Sequence, residues 1–191
     1  MRVIAGRAGG VPLLVPRTDL RPTMDQVRAA IFSSLADRVP GARVLDLFAG
    51  SGALGIEALS RGAASAVFVE CDRRAADCIA RNLGKTKLVS PAARVLRQEV
   101  FAFLDRSSPG EAFDLIFADP PYAKTPGAED FAARLLENDA LRENLRASGG
   151  LFVLEKAPRQ PLPAPALAQR WQVLREKRYG GTEVVFLQPL W

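Results

Sequence analysis

The sequence predicts an α/β fold: a doubly wound, mostly parallel seven-stranded sheet with helices on both faces, preceded by an N-terminal β-hairpin and helix extension. Three observations lead there. From residue 43 onward, short apolar strand-like runs alternate with helical segments, the order that builds a parallel sheet covered on both sides. The first run empties into a glycine-rich turn, LDLFAGSGALG at 45–55, the kind of turn found at the carboxyl edge of such sheets. The last two runs flank Gly180-Gly181, a hairpin signal that places an antiparallel strand at the end of the sheet.

The elements follow in chain order. RVIAG and VPLLVP flank Gly9-Gly10 and predict the small hairpin. Thr23 and Gln26 form a capping box, and Val27, Ala30, Ile31 and Leu35 lie on one face of the helix that follows, which Pro40-Gly41 ends. RVLDLF (43–48) is the first strand, ALGIEALSR a helix, SAVFVE a strand, RRAADCIARNLG a helix with Gly84 as its stop, and ARVLRQ a strand. A short helix near 100–105, the strand FDLIFAD (113–119), helical sequence over about 128–146 and the strand GGLFVLEK come next. PRQPLPAPALAQ is proline-rich and reads as a surface loop. WQVLREKRY and TEVVFLQ close the sheet as a hairpin. No internal repeat is evident, and 191 residues fit one domain, with residues 1–38 as an N-terminal extension.

Composition narrows the chemistry. Hydrophobic residues make up 48% and charged residues 25%, the balance of an ordinary globular protein. No apolar run approaches the roughly 18 residues of a membrane span, and MRVIAGRAGG lacks the apolar core of a signal peptide, so a cytoplasmic protein with no membrane association is expected. Cys71 and Cys78 are seven apart, which supports neither a disulfide framework nor a zinc site. Histidine is absent, which removes every triad and metal site that needs imidazole. The net charge is +5, and residues 1–30 carry five arginines against two aspartates, +3 of that total. Such an excess is read either as a solvated face or as a phosphate-binding arm.

The glycine turn alone is ambiguous. Gly50, Gly52 and Gly55 spell G-x-G-x-x-G, and Glu70 lies where a dinucleotide site carries its ribose-binding acid. Asp46, just before the glycines, is left unexplained by that reading. Ligands of doubly wound sheets sit at the carboxyl ends of the strands, and four successive ends here are acidic: Asp46, Glu70-Cys71-Asp72, Gln98-Glu99 and Asp119. Singly, each acid can serve as a helix cap or accept from loop amides. Together they suit a cationic adenosine ligand, S-adenosylmethionine, better than a pyrophosphate, which carboxylates repel. In that reading Asp46 faces the ammonium or its water, Gly50 and Gly52 let the backbone pass close to the methionine part, Glu70 accepts the ribose hydroxyls, and Glu99 accepts from the adenine amine.

FADPPYA (117–123) adds a second half-site. Two prolines remove two amide donors, so the Asp119 carboxylate and the Pro120 carbonyl can each accept one N–H of a planar amine while the base stacks on Tyr122. At these residues the chain resembles a known family. DPPY resembles the (N/D)-P-P-(Y/F) motif of class I methyltransferases that modify exocyclic amines of nucleobases, and DLFAGSGALG resembles their donor-binding loop. With the opening MRVIAG, RPTMDQVRAAIF (21–32), LDLFAGSGALGIEALSRGA, FVECD and FADPPY, the whole chain resembles the bacterial small-subunit (16S) ribosomal RNA guanine-N2 methyltransferases.

The resemblance implies a Rossmann-like class I methyltransferase with S-adenosylmethionine as cofactor. It implies 16S rRNA, within the small ribosomal subunit or an assembly intermediate, as partner, and a monomer is expected. The candidate catalytic residues are Asp119, Pro120, Pro121 and Tyr122. Candidate donor-binding residues are Asp46, Ala49, Gly50, Ser51, Gly52, Glu70, Cys71, Glu99 and Val100. Candidate RNA contacts are Arg7, Arg17, Arg21, Thr23, Arg28, Lys124, Lys177 and Arg178, and no metal is expected. One departure stands out: where the family carries Asp or Asn for the adenine contact, this chain has Glu99. Adenine-N6 methylation of DNA or RNA is the alternative, since DPPY serves both amines. An NAD-dependent oxidoreductase is less favoured, because no histidine or Tyr-x-x-x-Lys pair supplies its proton donor.

Overall fold

A computed structural model describes residues 1–15, 24–106, 112–122 and 129–191. Seven strands form one sheet: β1 (Arg43–Leu47), β2 (Ser65–Val69), β3 (Ala93–Leu96), β4 (Leu115–Ala118), β5 (Leu151–Lys156), β6 (Trp171–Tyr179) and β7 (Thr182–Pro189). Their spatial order is β3-β2-β1-β4-β5-β7-β6. The first five are mutually parallel, and β7 runs antiparallel to both β5 and β6. The order reverses between β1 and β4, which opens a crevice at their carboxyl ends.

Strand alternation sends side chains to two cores. On one face, Val44, Phe68, Phe117 and Val153 pack against α1 (Met24–Leu35), α2 (Ala53–Ser60) and α3 (Arg73–Thr86). On the other, Leu45, Val69, Ile116 and Leu154 meet α4 (Val100–Leu104), α5 (Phe131–Glu137), α6 (Asp139–Glu143) and α7 (Ala164–Arg170). The buried strands read as nearly continuous apolar runs because both faces are covered.

Four local readings need correction. The proline-rich stretch expected as a loop contains α7; Pro165 sits at the helix start, where its missing N–H would have had no intrahelical partner anyway, and Ala166 is buried against the second core. Gly84 does not stop α3, which runs to Thr86 and ends on Lys87 in the left-handed region at φ 56°. The helical stretch over about 128–146 is two helices, because Asn138 leaves the helical conformation and its Oδ1 accepts from Leu141 N at 2.8 Å to start α6. The N-terminal hairpin has no regular strands: an isolated bridge between Arg2 and Pro12 is accompanied by backbone hydrogen bonds from Val3 N to Val11 O at 3.0 Å and from Leu13 N to Met1 O at 3.2 Å. Thr23, the expected cap of α1, lies outside the described residues.

Hydrogen bonds anchor the N-terminal segment to the sheet's helices. The Glu57 carboxylate accepts from Ile4 N at 2.7 Å and Ala5 N at 3.1 Å, and Ser60 Oγ accepts from Ala8 N at 2.9 Å. Asn82 of α3 exchanges hydrogen bonds with Leu14 in both directions and also donates to Ser51 O at 2.9 Å.

Gly55 explains itself by packing. A Cβ there would stand 2.3 Å from the Phe68 ring of β2, so α2 can approach the sheet only with glycine at that position. Gly55→Ala is therefore expected to destabilise the chain by about 1–3 kcal/mol through overpacking. Thermal denaturation should show the loss, and Phe68→Leu in the same chain should recover part of it.

Candidate functional site

The chain leaves β1 through a run of unusual backbone: Phe48 at φ 54°, Gly50 at φ 54° and Gly52 at φ 75°. Side-chain carboxylates hold this turn. Asp46 Oδ2 accepts from Gly55 N at 2.9 Å, and Glu70 Oε2 accepts from Gly50 N at 2.8 Å while its Oε1 accepts from Asp72 N at 2.8 Å. Glycine at 50 and 52 lets the backbone take left-handed conformations at little cost. The turn borders a cavity of about 290 Å³ at the carboxyl ends of β1, β2, β4 and β5, close to the lower end of the range for small-molecule sites.

Asp46, Ala49, Gly50, Ser51, Glu70 and Cys71 line one end, and Asp119, Pro120 and Pro121 the other. These residues come from three strand ends far apart in sequence. Met24, Val27 and Arg28 of α1 form a wall over them. Glu155, Gly181 and Thr182 also line it, and sequence reasoning missed all three. The signal was available for Glu155, which ends the fifth strand as the other acids end theirs.

The electrostatics favour a cationic occupant. Asp46 is buried, and its pKa is pushed up to about 8. Burial raises it most, the Gly55 amide opposes, and nearby Asp119 and Glu70 raise it further. The neighbouring carboxylates Asp119 and Glu70 disfavour ionisation of Asp46, and a positive charge between them relieves that cost. Burial, and next to it Glu70, also pushes the Cys71 thiol up, so it stays protonated and is not a ready nucleophile.

At the DPPY end, Pro120 is buried and Pro121 exposed. The Tyr122 hydroxyl lies 2.5 Å from Thr182 Oγ1, which pins the tetrapeptide to the start of β7. Thr182 Oγ1 also lies 3.3 Å from Lys156 O and 3.5 Å from Glu155 Oε2.

Several expected residues lie elsewhere. Glu99 is exposed and caps α4, its Oε2 accepting from Ala102 N at 2.8 Å, and Val100 is buried in the second core; neither lines the cavity. Gly52 lies behind the lining, where a Cβ would meet Ile79 at 3.0 Å. Arg28 is not a surface cation. It is buried, pairs with Asp25 at 2.9 Å and Glu57 at 3.7 Å, and donates to the Arg2 carbonyl, so its charge is committed inside the protein. Arg7, Lys177 and Arg178 are exposed. Arg17, Arg21, Thr23 and Lys124 lie outside the described residues. Among the described residues, no three Cys, Asp or Glu side chains converge as a metal site, and no helix is long and apolar enough to cross a membrane.

A parallel sheet with an antiparallel final hairpin and an acidic crevice beyond β1, β2 and β4 defines the class I methyltransferase fold. Ribosomal protein L11 methylase from Lactobacillus delbrueckii subsp. bulgaricus shares this architecture with a TM-score of 0.67 at 20% identity, over 89% of this chain and 80% of that one. The chain belongs to the family described as conserved hypothetical protein 95, whose model matches residues 1–188, and it is similar to ribosomal RNA small subunit methyltransferase D. The Haemophilus influenzae protein of that name is 36% identical over 181 residues, which cover 94% of this chain and 89% of that protein. The solved structure of a hypothetical protein from Thermus thermophilus matches with a TM-score of 0.79 at 36% identity, over 97% of this chain and 98% of that one.

The elevated Asp46 pKa has a measurable sign. Between pH 4 and 8 the folded, donor-free chain holds on Asp46 a proton that the unfolded chain, with the ordinary aspartate value of 3.8, has released, so stability falls as pH rises through that window. Asp46→Asn keeps an acceptor for the Gly55 amide and removes the penalty. Relative to wild type, the variant should gain at least about 1 kcal/mol between pH 5 and 8, a Tm shift of roughly 2–4 °C in its favour. Thermal melts at several pH values measure it, and a constant difference would show that Asp46 is already ionised.

Proposed function

We propose that this chain transfers the methyl group of S-adenosylmethionine to the exocyclic N2 of a guanine in the 16S rRNA of the small ribosomal subunit. The observation that carries this reading is the cavity that joins the acidic glycine turn to Asp119-Pro120-Pro121. Its donor set fits the cofactor: carboxylates for an ammonium and ribose hydroxyls, a close backbone, and no cation to hold a pyrophosphate among the residues of the glycine turn. Similarity over most of the chain to ribosomal RNA small subunit methyltransferase D supports rRNA as the substrate. The guanine and its N2 rest on the DPPY motif and on the resemblance it carries.

When bound, S-adenosylmethionine supplies a methyl group already activated on a sulfonium. The protein's work is then to position a weak nucleophile. The guanine amine donates its lone pair into the ring, and acceptors at Asp119 and the Pro120 carbonyl draw its two hydrogens out of the ring plane and free the lone pair. In-line approach at about 3–3.5 Å and exclusion of water supply most of the remaining acceleration. Methyl transfer from the bound donor would make the amine acidic, and its proton would pass to Asp119 or water. No imidazole is required. Tyr122, pinned by Thr182, offers its ring to the base.

RNA engagement is assigned to residues 1–38, with Arg7, Lys177 and Arg178 at the surface and Arg17, Arg21, Thr23 and Lys124 as further contacts. Arg28 holds this segment in place from within.

Asp119→Ala should abolish methyl transfer to small-subunit rRNA while leaving S-adenosylhomocysteine binding nearly intact by calorimetry; retained turnover would overturn the assigned role. Mass spectrometry of the nucleosides formed by wild type should find N2-methylguanosine, and N6-methyladenosine would assign the alternative chemistry. Each phosphate contact contributes about one unit to the salt dependence of binding, so Lys177→Ala with Arg178→Ala should reduce the slope of log K against log salt by roughly 1.5 to 2.

A further inference from the structure

We infer that Glu155 reads the target base: its carboxylate accepts the N1–H of guanine while Asp119 and the Pro120 carbonyl take the hydrogens of the amine. This deepens the guanine-N2 reading and rests on it.

The placement comes from the sheet. Ala118 pairs with Leu154 across β4 and β5, so the residues one step beyond them, Asp119 and Glu155, stand side by side at the carboxyl edge, about 4.8 Å apart in strand spacing. Phe117 and Val153 belong to the same buried cluster, so side chains two residues on face that same side of the sheet. Both acids line the cavity. On its other side Glu155 pairs with Val184 of β7, and Thr182 Oγ1 lies 3.5 Å from Glu155 Oε2 while meeting Tyr122. The closing hairpin therefore holds Glu155 and the DPPY segment in one arrangement.

That row of acceptors has a chemical complement. The pairing edge of guanine presents N2–H₂ and N1–H next to each other, a contiguous set of donors. Adenine presents at N1 a lone pair, which a carboxylate repels. Asp119 and Pro120 read only an amine, and both purines can offer one. Glu155 is the neighbouring group able to tell N1–H from a bare N1, and hydrogen-bonding sites of this kind discriminate strongly because the wrong partner leaves a polar group unpaired. Glu155 is thus assigned as the specificity-determining residue.

The base analogue 2,6-diaminopurine separates the contributions, since it keeps the 2-amine and carries a lone pair at N1. After the methylated position is mapped, small-subunit rRNA is assembled by ligation with either guanosine or 2,6-diaminopurine there. Wild type should favour guanosine in kcat/KM by about ten-fold or more. Glu155→Gln, whose amide can offer oxygen to guanine or N–H to the analogue, should narrow the ratio to about three-fold or less. Affinities of the two RNAs for the protein bound to S-adenosylhomocysteine give the same comparison without turnover. A wild type indifferent to the two bases overturns the inference, as does a folded Glu155→Gln or Glu155→Ala protein with an unchanged ratio. If wild type yields no N2-methylguanosine, the proposed function itself fails; if it does and the ratio ignores Glu155, only this inference fails.

Discussion

The turn from β1 into α2 is held by carboxylates, and the site is built around that constraint. Glu70 reaches across from β2 to accept the Gly50 amide, and Asp46 reaches forward to accept the Gly55 amide. Both acids are buried. The same hydrogen bonds that hold the turn therefore keep two acids close to each other and to Asp119. A fold that needs these acids in place has an acidic crevice with a deficit of positive charge, the property that suits it to a cationic donor. The helix behind the turn depends on the same geometry, since Gly55 is the residue that lets α2 close on Phe68.

Another buried carboxylate organises the N-terminal segment. Glu57 is fully buried on α2 and joins Arg28 of α1, Arg61 and the amides of Ile4 and Ala5. Breaking a buried ion pair by removing one partner typically costs about 3–5 kcal/mol, and the remaining partners of Glu57 moderate that loss. Arg28 also lines the cavity. The segment assigned to RNA and the crevice are thus parts of one packed unit, with Asn82 linking Leu14 directly to Ser51 of the glycine turn.

The far side of the crevice depends on a third pairing. Lys156 is buried between Glu183 at 2.5 Å and Glu176 at 3.0 Å, which ties β5 to both strands of the closing hairpin. Burial pulls its pKa down, but the hydrogen bonds to Glu183 and Glu176 outweigh that, and its net shift is upward. The ammonium stays charged and keeps the start of β7, with Thr182, beside Tyr122 and Glu155. Without that strand the DPPY segment would lack its anchor.

By itself the sequence determined the strand and helix alternation, the acidic glycine turn and the DPPY segment, because each is written in contiguous residues whose backbone preferences and periodicity act locally. The order of elements along the chain and the carboxylates at Asp46, Glu70 and Asp119 were legible for that reason. Only the tertiary structure decided which side chains meet. Glu70 and Glu99 both follow strand ends, yet Glu99 turns to cap its helix and Glu70 enters the cavity. Arg28 reads as one more basic residue in a basic segment, but a buried Glu57 twenty-nine positions away draws it inside. Glu155 gains its place beside Asp119 because β5 pairs with β4, across thirty-six residues of chain. Strand pairing and burial are non-local, and a residue's charge takes its meaning from neighbours that no window of sequence contains.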